Sequence, residues 1–198
     1  MARPDTAVRL YLIRHPRTVA AADVCYGSSD VAPLQAELDA CLRALRGLAV
    51  LPVGLPIYSS PLQRCARLAH GLAEYWGGGP PVLDARLAEM HFGAWELRTW
   101  GEIPRQEVDD WAADMAAYRP GQGESVTDMA RRVLAFREEI LARGEDACVV
   151  CHAGTIRLLL AAEGRDSLQE IALAAAQSPT RVAYGQIIVL PAAPAGRK

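Results

Sequence analysis

Val8-Arg9-Leu10-Tyr11-Leu12-Ile13 is an apolar run with a single polar interruption, and it ends on the charged pair Arg14-His15. A run of this length and β-favouring character is what a strand buried in a parallel sheet looks like. Leu34, Leu38, Cys41, Leu42, Leu45 and Leu48 then return at helical spacing, and Leu55-Pro56-Ile57-Tyr58 reads as a short strand. Ser60-Pro61 has the form of a helix start, serine at the cap and proline in the first turn. Leu62, Ala66, Ala69, Leu72, Ala73 and Trp76 follow on one face until Gly77-Gly78-Gly79. Pro81-Val82-Leu83 begins another extended segment. The polar and aromatic stretch 95–123 is less regular and helical in part. Ser125 is placed to cap a helix carrying Val126, Met129, Val133, Phe136 and Ile140, ahead of a buried strand, Ala147 to Cys151. Ser167-Leu168-Gln169-Glu170 has the form of a capping box. Gln186 to Leu190 reads as a last strand, before a Pro/Ala-rich tail expected to fray.

Alternating strands and helices predict a doubly wound α/β domain: a three-layer sandwich with a mostly parallel central sheet and helices on both faces. No repeat and no linker interrupts the pattern, so residues 1–198 are expected to form one domain.

Composition narrows the function classes. A chain of 198 residues, 51% hydrophobic, with a formal net charge of −2, is neither disordered nor a strongly nucleic-acid-seeking protein. Lys198 is the only lysine; the bias to arginine fits genome composition, although arginine is also the better bidentate ligand for phosphate. Met1 to Thr6 lacks the apolar core of a signal peptide, and the first apolar run is too short to span a bilayer. A soluble, cytoplasmic protein without membrane contact is expected. Cys25, Cys41, Cys65, Cys148 and Cys151 make no disulfide-like framework, so reduced thiols are expected.

Chemistry gathers where strands end. Ligands in open α/β sheets bind beyond the carboxyl ends of strands, and there Arg14 could bind an anion while a neutral His15 attacks phosphorus. Arg64 falls in the first turn of the helix after Ser60. A cation there opposes the helix dipole, a cost that a bound anion would offset. His152 follows a buried strand and precedes a helix whose first N–H groups, at Ala153 and Gly154, could face an anion. Glu89 is an acid among apolar neighbours, and burial raises a carboxyl pKa towards the range of a general acid.

These residues resemble the histidine phosphatase superfamily, also called phosphoglycerate mutase-like. Arg14-His15-Pro16 with Thr18 is similar to its Arg-His-Gly signature, Ser59 to Arg64 to its Ser-Ser-Pro-Leu-x-Arg segment, and Glu89 to Glu96 to its Glu-x-x-Phe-Gly-x-Trp-Glu stretch. Gly123-Glu124-Ser125 and His152-Ala153-Gly154 match two further elements, all in order. The resemblance implies a metal-independent, cofactor-free phosphomonoester hydrolase in which His15 becomes a phosphohistidine. Arg14, Arg64 and His152 would hold phosphoryl oxygens, Thr18, Arg17, Tyr26 and Ala153 would help bind substrate, and Glu89 would protonate the leaving oxygen. A mildly acidic pH optimum follows. Pro16 stands where the family has glycine, Arg17 where glutamate is common, and Ala153 where another glycine is usual.

Cys25-Tyr26-Gly27-Ser28-Ser29-Asp30-Val31 is similar to a segment of α-ribazole phosphatases, enzymes of cobalamin biosynthesis. Tyr26, Trp95 and Trp100 could stack on a planar base, or simply pack. Three alternatives stand beside this reading. One is a broad-specificity or phosphoglycerate mutase-like enzyme. Another is a cysteine-dependent phosphatase, because Cys151 to Arg157 fits Cys-x-x-Gly-x-x-Arg and a low-pKa thiolate suits a helix start. The third is a phosphate-ligand binding module without catalysis. The expected partner is a small-molecule phosphomonoester rather than nucleic acid, and a homodimer is compatible with the sequence.

Overall fold

The computed structural model describes residues 8–192; the expected fraying of the Pro/Ala-rich tail lies outside them. Strands β1 (Val8–Arg14), β3 (Ile57–Ser59), β4 (Val82–Leu83), β6 (Ala147–Cys151) and β7 (Ile187–Ala192) form one sheet in the order β4-β3-β6-β1-β7. All neighbours are parallel except β7, which runs antiparallel to β1 at one edge. Two-residue strands β2 (Val24–Cys25) and β5 (Arg98–Thr99) pair separately.

Side chains alternate across a strand, and here the alternation splits the core in two. Leu10 and Leu12 of β1, with Val149 of β6, face helices α4 (Val126–Arg143), α5 (Ala153–Ala161) and α6 (Leu168–Ala176). Tyr11 and Ile13, with Cys148 and Val150, face α1 (Gln35–Arg46) and α2 (Gln63–Trp76). The predicted three-layer α/β sandwich is therefore the observed one. Truncating one of these fully buried residues, such as Leu12→Ala, should cost about 2–5 kcal/mol.

Local signals held in most places and failed in three. Ser125 and Asp128 close a full capping box on α4, and Gly77 and Gly144 end α2 and α4 in the left-handed conformation that favours glycine. Ser60, however, does not cap α2, which begins at Gln63 with Leu62 at its cap. The carboxylate of Asp30 accepts from the Gln63 N–H at 2.7 Å instead. At α6 the box is half made: Ser167 accepts from the Glu170 N–H at 3.4 Å, with no return bond from Glu170 among the described hydrogen bonds. The last strand also runs two residues further than its apolar stretch suggested. The irregular region resolves into 3-10 turns, β5 and the short helix α3 (Arg105–Ala113).

Candidate active site

Ladder register builds the site. Arg14 of β1 lies opposite Cys151 of β6, and Ser59 of β3 lies opposite Val150. The ladder continues one step further, with His15 N–H donating to the Cys151 carbonyl (3.1 Å) and Ser60 N–H to the Val150 carbonyl (3.0 Å). His15, Ser60 and His152 thus meet at the carboxyl edge of three parallel strands.

His15 is buried, and its Nδ1 lies 2.7 Å from the Pro16 carbonyl. A carbonyl only accepts, so Nδ1 carries the proton and Nε2 keeps its lone pair. Burial, then the Arg64 charge, lowers His15 to about 3; the Arg14 charge acts the same way, and only the bond to Pro16 opposes it. The ring is neutral over the whole physiological range, the state a nucleophile requires. Replacing the family glycine by Pro16 removes an N–H but leaves the carbonyl that fixes this tautomer.

Arg64 is fully buried. Its Nη2 donates to the Gly27 carbonyl (2.6 Å), Nη1 to the Ser29 carbonyl (2.7 Å) and Nε to His152 Nδ1 (3.3 Å). Asp30, at the start of the same helix, supplies the negative charge that offsets a cation in the first turn, a role that the sequence reading gave to a bound anion. Gly27 has φ +35°, and a Cβ there would lie 2.6 Å from the Met90 carbonyl oxygen, so glycine is required where Arg64 grips the loop. Arg14 donates Nη1 to the Val182 carbonyl and lies 3.9 Å from the Tyr184 ring centroid. Its Nε is buried and has no hydrogen-bond partner among the described residues.

His152 Nδ1 accepts from Arg64, so Nε2 carries the proton and donates to Ser60 Oγ at 2.8 Å. Burial first, then His15 and the neighbouring arginines, hold this ring well below the usual imidazole range. The sequence reading put His152 among the phosphate-binding groups. In the structure it is wholly buried, with its ring centroid 5.1 Å from that of His15, and it is not one of the residues that line the cleft.

Glu89 lines the same cleft as His15. Its Oε2 accepts from the Gly154 N–H (3.1 Å) and its Oε1 from the Met90 N–H (3.0 Å). The group at the start of α5 is thus the Glu89 carboxyl. A Cβ on residue 154 would fall 2.3 Å from Glu89 Oε1, so any side chain there would displace this carboxyl group. Arg132 of α4 fastens the Glu89 segment by donating to the carbonyls of Arg86 and Ala88 (2.7 Å each) and of Glu89 (3.3 Å). Glu124, from the Gly-Glu-Ser element, holds Arg132 through both carboxylate oxygens. Glu96 joins the two motif loops in the same manner, accepting from Ser28, Ser29 and Phe92.

Arg14, His15, Arg64 and Glu89 line one end of a cleft of about 510 Å³, with Tyr26, Ala153 and Gly154 beside them. The remaining wall is apolar and aromatic, including Met90, Phe92, Trp100, Trp111, Met115 and Leu158. Thr18 and Arg17 do not line it. Thr18 is buried at a bridge to Pro33, and Arg17 is exposed. Trp95 is fully buried with its indole N–H on Glu107, so of the three aromatics considered for stacking only Tyr26 and Trp100 reach the cleft. Cys151 is wholly buried, and burial followed by Cys65 and Glu89 pushes its thiol well up. That is the opposite of a reactive thiolate, which corrects the cysteine-dependent alternative. All five cysteines are buried and unpaired. Among the described residues no group of three or more His, Cys, Asp or Glu could hold a metal ion, and no helix is long and apolar enough to cross a membrane.

Sequence reasoning missed Tyr184, Arg132 and Trp111. Tyr184 lies in the loop before β7 with its ring 5.6 Å from that of His15, and nothing in its spacing marks it. Arg132 is one of several arginines on α4, distinguished only by its fold-dependent reach to Glu124.

Residues 10–183 match the histidine phosphatase superfamily (branch 1). The chain belongs to that superfamily. Among curated relatives, a glucosyl-3-phosphoglycerate phosphatase of Mycolicibacterium vanbaalenii is 33% identical over 173 residues, covering 78% of this chain and 73% of the relative. An adenosylcobalamin/α-ribazole phosphatase of Salmonella typhimurium is 26% identical over 159 residues, 78% of each. The crystal structure of the α-ribazole phosphatase from Shigella flexneri superimposes with a TM-score of 0.78 at 22% identity, over 92% of this chain and 89% of that one. The match also spans 44% of the length of three longer mycobacterial relatives.

Proposed function

We propose that this chain is a phosphomonoester hydrolase working through a phosphohistidine on His15, with α-ribazole 5′-phosphate as its substrate. One observation carries the chemistry: a neutral imidazole with its Nε2 lone pair free lines one cleft together with two guanidiniums and a carboxyl group. Nε2 attacks phosphorus, the ester P–O bond breaks, and Glu89 in its acid form gives its proton to the leaving oxygen. Nδ1 keeps its proton on the Pro16 carbonyl throughout. Water then attacks the phosphohistidine and passes a proton to the Glu89 carboxylate. The P–N bond breaks, phosphate departs and neutral His15 returns. Arg14, with its unpartnered Nε, and Arg64 neutralise the phosphoryl oxygens, the main contribution a protein makes to this reaction. His152 positions Arg64 and Ser60.

The substrate reading draws support from the Salmonella relative's name, from the Tyr26 to Val31 segment, and from the apolar wall beside the phosphate end. A planar base suits such a wall. A glucosyl glycerate, which the Mycolicibacterium relative's name specifies, would ask it for many hydrogen bonds. Steady-state kinetics on α-ribazole 5′-phosphate, glucosyl-3-phosphoglycerate, 3-phosphoglycerate and phenyl phosphate test this. We expect kcat/KM for the first to exceed each other value by about tenfold or more, the worth of one or two hydrogen bonds and a stacked ring. Preference for the glucosyl compound would remove the cobalamin assignment and leave the chemistry. No turnover of any would favour the binding module.

A further inference from the structure

Buried N–H groups almost always find a partner, and an exception asks for an explanation. Trp111 is such an exception: its Nε1 is shut off from solvent and has no hydrogen-bond partner among the described residues, although the residue helps line the cleft. The ring's place is well determined. It lies parallel to Trp100 (3° between planes, centroids 6.3 Å apart) and edge-to-face with Phe92 (5.9 Å) and Trp95 (5.8 Å). Trp95, fixed in the same cluster, satisfies its own N–H on Glu107; Trp111 does not. A desolvated, unpaired donor is destabilising, and that cost is recovered only when an acceptor arrives.

We propose that Trp111 is a specificity-determining residue: its indole N–H takes up a hydrogen-bond acceptor on a planar, largely apolar leaving group lying along the aromatic wall. This rests on the phosphatase reading above and narrows the substrate class. Ester alcohols built on a fused heteroaromatic ring with an unsubstituted ring nitrogen belong to the class. Carbocyclic analogues and polyhydroxylated alcohols do not. A benzimidazole riboside meets the requirement because one ring nitrogen remains an acceptor. Met90 and Met115, unbranched and adaptable, line the same wall and can give way as the acceptor reaches the N–H.

Paired inhibitors test this without depending on leaving-group reactivity. Naphthylmethylphosphonate is compared with quinolinylmethylphosphonates in which one ring CH is replaced by nitrogen at each position in turn. A nitrogen without a partner binds no better than CH, because its hydration is lost for nothing. We expect one isomer to bind the unaltered protein about two- to tenfold more tightly than the naphthyl compound, the worth of one neutral hydrogen bond. In Trp111→Phe, which keeps an aromatic ring, the ratio for that isomer falls to one or below. No preference at any ring position in the unaltered protein overturns the proposal even if the variant does not fold. A preference that survives Trp111→Phe overturns it too. If no phosphonate binds and phenyl phosphate is not hydrolysed, the phosphatase reading fails along with it; equal binding of all the compounds removes only Trp111.

Discussion

The two ends of the cleft are built in different ways. At the phosphate end, His15, Ser60 and His152 sit one step beyond β1, β3 and β6, whose ladder fixes them side by side. On the aromatic wall, Phe92 caps one 3-10 turn, Trp100 begins another and Trp111 comes from a nine-residue helix. Ring packing, rather than a ladder, holds that wall. In the proposed reaction, chemistry that tolerates little displacement rests on the sheet, while the proposed selectivity rests on a segment that can be rebuilt without moving His15.

This contrast is open to attack from both ends. Glu89→Gln removes the proposed proton donor and should lower kcat by about 10² to 10⁴ for substrates with poor leaving groups. The loss should shrink sharply for p-nitrophenyl phosphate, whose leaving oxygen needs little help; a loss equal for both would assign Glu89 a structural role. Rates over a series of aryl phosphates supply the measurement.

Acid should weaken the phosphate end next. In the folded chain His15 gains a proton only near pH 3, whereas unfolded it does so near its ordinary value. Between these limits the unfolded state binds more protons, so stability falls as pH drops below about 6.5, by up to roughly 1.4 kcal/mol per pH unit. His152, lowered for the same reason, adds to that slope. Urea midpoints at about pH 7 and about pH 5 should therefore differ, and less so in His15→Gln. An unchanged midpoint would mean that these rings are not buried neutral. By the same shift, kcat/KM should not fall through His15 protonation over that interval.

The smallest effect belongs to the aromatic wall. Trp100→Ala should raise KM for aryl substrates by several-fold, in keeping with about 0.5–1.5 kcal/mol for an aromatic contact. Compact alkyl phosphates should respond much less. A matching drop in kcat for both classes would show that wall and phosphate end are not separable.

The same division decided what could be read in advance. Arg14-His15, Ser59 to Arg64 and Cys151-His152 were legible because each follows an apolar run of strand period, and Glu89 because its motif has fixed spacing. Register was not legible, and with it went the true partners of Ser60, the Asp30 cap on α2 and the burial of His152. In the 95–123 stretch, Trp95, Trp100 and Trp111 look alike in sequence. Only tertiary packing makes one core, one half-exposed and one an unpartnered donor. Thr99-x-x-Glu102, which closes a capping box, was a readable local signal within that stretch.

The central claim is that the His15 imidazole captures the phosphoryl group. Turnover of radiolabelled phenyl phosphate, quenched in alkali and mapped by peptide, tests it directly. The account requires an acid-labile, alkali-stable label on His15, with both label and turnover lost in His15→Ala. Label on Cys151 or any other side chain, or undiminished turnover in His15→Ala, would contradict it.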